Sequence, residues 1–155
     1  MIRDDGPFAC ALRALRRGDF SSADAEFSSL LAAQHLSSNE RAFLLNKRGV
    51  ARMGLERPEL ARADFEAALE IKPFFAPAIA NLGNLLLEAG DLDGAIAAYE
   101  RAIACDSDYA VAYLNLGVAY KRSGRIADGV RALRQAQRLE GRANAGASWR
   151  RVRRQ

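Results

Sequence analysis

The stretch NLGNLLLEAGDLDGAIAAYERA, Asn81 to Ala102, returns 34 residues later as NLGVAYKRSGRIADGVRALRQA, Asn115 to Ala136. A pattern repeated at a fixed period builds one structural unit several times and stacks the copies, so the period limits the possible folds more than any single residue does. Gly49, Gly83 and Gly117 keep the spacing, as do Ala61, Ala95 and Gly129, and Ala68, Ala102 and Ala136; Phe65, Tyr99 and Leu133 are large and apolar at the matching place. This register defines three tandem copies, 42–75, 76–109 and 110–143. A more divergent copy lies at 4–37, where Gly18, Asp19 and Phe20 match Gly90, Asp91 and Leu92, and Ala23, Phe27 and Leu30 fall in step. Four extra residues, Ser38 to Arg41, separate it from the next copy. The expected organisation is one domain over 1–143 and a basic capping helix or tail over 144–155.

Within a copy the apolar residues run twice at helical spacing. In the copy from 76, Ile79, Leu82, Gly83 and Leu86 share one face, and Leu92, Ala95, Ile96, Tyr99, Ala102 and Ile103 share the second. Ala89, Gly90 and Asp91 make the turn between them, with glycine free to take the positive φ that ends a helix. Each copy therefore reads as a helical hairpin. The small residues Gly83 and Ala95 let two helix axes approach closely, and Tyr99 fills the space beside the crossing.

These residues resemble the tetratricopeptide repeat (TPR) family, whose 34-residue motif places large, Leu-Gly, aromatic and Ala residues at set positions. One copy has Ile79, Leu82, Gly83, Leu86, Ala95, Tyr99 and Ala102; the next has Tyr113, Leu116, Gly117, Tyr120, Leu133 and Ala136. The copy from 42 has Leu45, Gly49, Ala61, Phe65, Ala68 and Pro73, but Arg48 and Arg52 stand at apolar positions and Glu56 replaces the turn glycine. The resemblance implies an all-α fold, a right-handed α-solenoid of tandem helix-turn-helix hairpins, acting as a non-enzymatic scaffold or adaptor.

It also implies a partner surface along the first helix of each copy. That lining would be Phe43, Asn46, Lys47, Val50 and Met53; Ala80, Asn81, Asn84, Leu87 and Glu88; and Val111, Leu114, Asn115, Val118, Lys121 and Arg122. A peptide or partner segment would meet apolar pockets around Val50, Leu87, Leu114 and Val118. A side-chain amide gives and accepts hydrogen bonds at once, so Asn81 and Asn115, one repeat apart, suit an extended peptide backbone. The competing reading has these asparagines tying neighbouring helices together. The two-carboxylate clamp found in some members needs Lys, Asn, Asn, Lys and Arg at places held here by Asn46, Val50, Asn81, Val111 and Asn115, none of them a cation, so a chaperone adaptor of that kind is not expected.

Charge is uneven along the chain. Residues 1–120 hold 12 basic and 17 acidic side chains, whereas residues 121–155 hold 11 basic and 2 acidic. Arg131, Arg134 and Arg138 recur on one helix face, and Arg150, Arg151, Arg153 and Arg154 flank Trp149 and Val152. Such a cluster attracts phosphates, so nucleic acid or an anionic membrane surface is the alternative partner, with Trp149 stacking on a base or sitting at the headgroup layer. The competing reading is a solvated cap: a terminal repeat has no neighbour and ends in polar residues, and Ala145, Trp149 and Val152 are spaced to lay one helix face on the last hairpin. An uncapped repeat face also permits self-association.

Half of the residues are hydrophobic, enough for a packed core. Cys10 and Cys105 lack a CxxC or a histidine partner, so neither zinc nor a disulfide is expected, and both read as small buried packing residues. No export signal or membrane-spanning run is visible, which suggests a soluble cytoplasmic protein. Catalysis has little to stand on. His35 is the sole histidine, no Ser or Cys has a base partner, and Asp91 with Asp93 and Asp106 with Asp108 sit where aspartates cap helices. No cofactor, metal or small-molecule substrate is expected.

Overall fold

The computed structural model describes residues 6, 8–32 and 35–152, with side chains through residue 144. Among these residues eight helices and no strand occur: α1 Ala9–Arg16, α2 Phe20–Ala32, α3 Ser38–Gly54, α4 Pro58–Ile71, α5 Ala76–Glu88, α6 Leu92–Cys105, α7 Ala110–Arg122 and α8 Ile126–Val152. They pair in chain order as four helix-turn-helix hairpins, an all-α TPR solenoid.

The turns share one chemistry. Gly18, Gly90 and Gly124 have φ of +74°, +84° and +82°, the left-handed conformation that closes a helix and that glycine adopts without a Cβ clash. At each, the amide three residues past the helix returns to a carbonyl of the last turn: Asp19 N to Ala14 O at 3.0 Å, Asp91 N to Leu86 O at 2.9 Å and Arg125 N to Tyr120 O at 2.8 Å. The remaining turn makes the same bond, Arg57 N to Arg52 O at 2.9 Å, although Glu56 occupies the left-handed position with φ of +55°.

Helix starts use polar caps. Asp91 accepts from Gly94 N at 2.9 Å to begin α6, and Asp19 accepts from Ser22 N at 3.1 Å to begin α2. Ser37 and Glu40 form a reciprocal capping box at the start of α3. The four residues 38–41, which the repeat register leaves between copies, are therefore the first turn of α3, which has 17 residues against 13 in α5 and α7.

The chain forms two compact units, Met1–Asn81 and Leu82–Gln155, whose boundary falls inside α5. In the first, Phe8, Ala11, Ala14, Ala23, Phe27, Leu31, Leu44 and Ala51 build a core between α1, α2 and α3. A second cluster joins Ala42, Ala68 and Ala78, with Leu45, Leu69, Ile71 and Phe75 packed on it. In the second unit the core comes from Ala95, Ile96, Tyr99 and Ala102 of α6, Leu116, Ala119 and Tyr120 of α7, and Ala132, Ala136 and Leu139 of α8.

Helix crossings depend on the small residues picked out by the repeat. A Cβ on Gly83 would lie 2.8 Å from the Tyr99 ring, and one on Gly117 would lie 2.7 Å from Leu133. Gly49 stands against Phe65 in the same way. The large residue at each second-helix position thus fills the volume that the glycine vacates.

α8 runs unbroken for 27 residues, so that its backbone carries the basic segment from 144 to 152. Two expectations change. Cys10 is exposed and Cys105 half-buried; Cys10 lies on the solvent face of α1, with the Arg13 guanidinium 3.2 Å from its Sγ. Ala80 is buried rather than lining a surface.

Candidate functional site

The first helices carry the candidate surface, and in each unit the asparagines meet. In the first unit, Asn81 of α5 donates through Nδ2 to Oδ1 of Asn46 on α3 at 2.9 Å, and Asn46 is buried. Lys47 beside it is half-buried, its Nζ 5.5 Å from the centre of the Phe43 ring. Burial holds the Lys47 ammonium below its ordinary pKa. Val50 is half-buried on the same helix.

In the second unit, Asn115 of α7 donates to Oδ1 of Asn84 on α5 at 2.9 Å, and the Tyr99 hydroxyl donates to that same oxygen at 2.7 Å. Burial, reinforced by the nearby Glu88 charge and opposed by Arg122, pushes the Tyr99 phenol up to about 12. It stays protonated and a donor at neutral pH. Arg122 reaches back to the Leu87 carbonyl at 3.4 Å, so α5 and α7 are tied at two levels.

Alongside these bonds runs a stripe of apolar surface. Val111, Leu114 and Val118 are 45%, 43% and 40% exposed. The matching positions of the earlier first helices are better covered: Asn46 and Ala80 are buried, and Phe43, Val50, Pro77 and Asn84 are half-buried. Lys121 and Arg122, both exposed, close the C-terminal end of the stripe. Of the residues expected to line the surface, Asn46, Lys47, Val50 and Asn81 fall in one unit and Asn84, Leu87, Leu114, Asn115, Val118, Lys121 and Arg122 in the other; Asn46, like Ala80, is buried rather than open to a partner. Asn81 and Asn115 each donate to an asparagine of a neighbouring first helix.

The cationic surface on α8 is open but partly neutralised. Arg131, Arg134 and Arg138 are exposed, and Asp128 accepts from both Arg131 and Arg125, the latter at 2.9 Å. These contacts hold the Asp128 carboxyl below its ordinary pKa, the hydrogen bond from Arg125 contributing most. Arg150 and Arg151 lie on the described backbone of α8, but their side chains, like that of Trp149, are outside the described residues; so are Arg153 and Arg154 entirely.

The sequence reading did not find a buried charge cluster in the first unit. Arg48 holds Asp64 through two bonds of 3.0 and 2.6 Å and reaches Ser28 at 3.3 Å. Arg52 bridges Asp24 and Asp64, each at 2.9 Å. The Asp64 side chain is 4% exposed. The signal was present: two arginines at apolar motif positions need carboxylates, and Asp24 and Asp64 supply them from α2 and α4. Among the described residues, no group of three or more His, Cys, Asp or Glu side chains is placed to hold a metal ion, and no helix is long and apolar enough to cross a membrane.

Comparison with known proteins agrees with this architecture. Family models described as tetratricopeptide repeat match residues 8–74 and 110–142, and one described as TPR repeat matches 83–124. Among solved structures, MamA from Desulfovibrio magneticus RS-1 is 26% identical, with a TM-score of 0.63 over 84% of this chain and 72% of its own. YrrB, described as a TPR protein with an unusual peptide-binding site, is 22% identical, with a TM-score of 0.64 over 86% of this chain and 67% of its own. The second TPR of Spaghetti (RPAP3), solved with the HSP90 peptide SRMEEVD, is 19% identical, with a TM-score of 0.60 over 65% of this chain and 94% of its own. With hairpin geometry, turn chemistry and family models in one register, the chain belongs to the tetratricopeptide repeat family.

Proposed function

We propose that this chain is a non-enzymatic protein-interaction module that holds a peptide or partner segment against the exposed faces of its first helices. The observation that carries the reading is the stripe Val111, Leu114 and Val118, apolar and open to solvent between an amide network and two cations. Apolar surface of this kind on a folded domain favours a partner that covers it. YrrB and the RPAP3 repeat, which share the fold, are described as peptide-binding or peptide-bound, and that supports the reading further.

In this reading Leu87, Leu114 and Val118 of the second unit receive side chains of the partner, and Val50 of the first unit offers a separate apolar contact. Asn81 and Asn115 present their amides to its backbone while keeping their bonds to Asn46 and Asn84. The test is affinity capture with the full chain and with Leu114→Glu, followed by titration of the captured protein's segments. A partner held by the wild type and lost by the variant at unchanged helicity supports the groove. Equal retention by both removes it.

A second reading rests on the exposed Arg134 and Arg138, which with Arg142 line one side of α8 and suit nucleic acid or an anionic membrane surface. Phosphate contacts release counterions, so that binding falls steeply with salt. Retention that vanishes on nuclease treatment or with added salt favours this surface, whereas retention indifferent to both excludes it.

A further inference from the structure

We propose that α7 is also a self-complementary surface, pairing antiparallel with α7 of a second copy about a two-fold axis. The inference uses the same stripe as the peptide reading but does not depend on it. What covers this face elsewhere in the chain is another first helix: Asn81 of α5 reaches Asn46 on α3, and Asn115 of α7 reaches Asn84 on α5. Among the described residues no first helix follows α7, and Val111, Leu114 and Val118 are exposed.

The charges decide which first helix fits. Residues equidistant from the middle of the stripe meet in an antiparallel pair, so Val111 faces Val118 of the second copy and Leu114 faces its Leu114 and Asn115. Continuing outward, Lys121 and Arg122 arrive at the second copy's turn before α7, where Asp106, Ser107 and Asp108 are all exposed. The opposite ends of one helix thus carry opposite charge, and two-fold symmetry brings each cation pair to the other copy's aspartates twice. Asp106 Oδ1 takes the Asp108 amide at 3.1 Å, which holds the turn in place without neutralising either carboxylate. Arg122 has a 3.4 Å bond to the neutral Leu87 carbonyl, weaker than a charge-assisted bond to a carboxylate. Head-to-tail stacking of the last hairpin on the first is disfavoured, because Arg13 and Arg16 of α1 and Arg17 just past its end are exposed and would meet these cations. One helix face per copy is a small interface, so the pairing is weak and reversible.

Sedimentation equilibrium of the full chain over a wide concentration range tests this, with circular dichroism confirming that each variant is folded. The wild type should move from monomer to dimer and stop there. Leu114→Glu should raise the dissociation constant by about tenfold or more, equivalent to about 1.4 kcal/mol. Charge swaps give the sharper outcome. Lys121→Glu with Arg122→Glu, and separately Ser107→Lys with Asp108→Lys, should each weaken self-association, while a mixture of the two folded variants should form a heterodimer. A wild type that stays monomeric, a mass that keeps growing past the dimer, or a mixture that does no better than its components would each overturn the pairing. No peptide enters these measurements, so they and the capture experiment can fail independently.

Discussion

Glu56 is held in a conformation that costs an L-amino acid about 1–2 kcal/mol, at the position where each other hairpin has glycine. Glycine there removes the strain but adds unfolded-chain entropy of about 0.5–1 kcal/mol. Glu56→Gly should therefore stabilise the fold by about 0.5–1 kcal/mol, read as a higher urea midpoint with an unchanged slope. Gly83 is the opposite case. Its place against the Tyr99 ring leaves no room for a side chain, and Gly83→Ala should cost about 1–3 kcal/mol through overpacking, measured in the same way. Both effects depend on single atoms: a Cβ that strains the backbone at one site and meets a ring at the other.

At the scale of the helix, the pair Arg48–Asp64 decides how α3 and α4 tolerate change. Asp64→Ala leaves two arginine side chains, each less than a fifth exposed, facing an empty place, and should cost roughly 3–5 kcal/mol by chemical denaturation. Joint replacement of Arg48, Arg52, Asp24 and Asp64 by Met and Leu should recover most of that loss, because apolar packing replaces the ion cluster as a unit. The hairpins themselves were legible in the sequence, since a glycine or its substitute marks each turn and the small-to-large pairing marks each crossing. The extra turn of α3 was not legible from the repeat register, because a count of inserted residues does not say whether they coil; the Ser37 and Glu40 pair was the local sign. The ion cluster stayed hidden because it joins three helices, and a motif lists positions within one copy. In the candidate surface the residue list was readable but its exposure was not: Ala80 is covered while Leu114, its counterpart one repeat on, is open.

Across the whole molecule, the tyrosines set an alkaline limit. Tyr99 is raised from 10.0 to about 12, chiefly by burial, and Tyr109 and Tyr120 are raised too, Tyr120 mainly by its hydrogen bond to Glu100. Below about pH 10 folded and unfolded chains both keep these protons, and the contribution to stability is full. Between about pH 10 and pH 12 the unfolded chain releases them more readily, so stability should fall as pH rises, and urea midpoints should decline in step with phenolate absorbance. Repetition itself poses a further problem at this scale, because hairpins with similar faces can pair in the wrong order during folding. The places of Arg48, Arg52 and Asp64 are held by Leu82, Leu86 and Ala98 in the next copy, and by Leu116, Tyr120 and Ala132 in the last. If α3 packed where α5 or α7 belongs, Arg48 and Arg52 would enter places built for Leu82 and Leu86, or for Leu116 and Tyr120, where Ala98 or Ala132 stands in place of Asp64. Only beside α2, where Asp24 waits, does Arg52 find its second partner. The buried ions thus act as an address written on one copy, making otherwise exchangeable hairpins distinguishable to one another before the fold is complete.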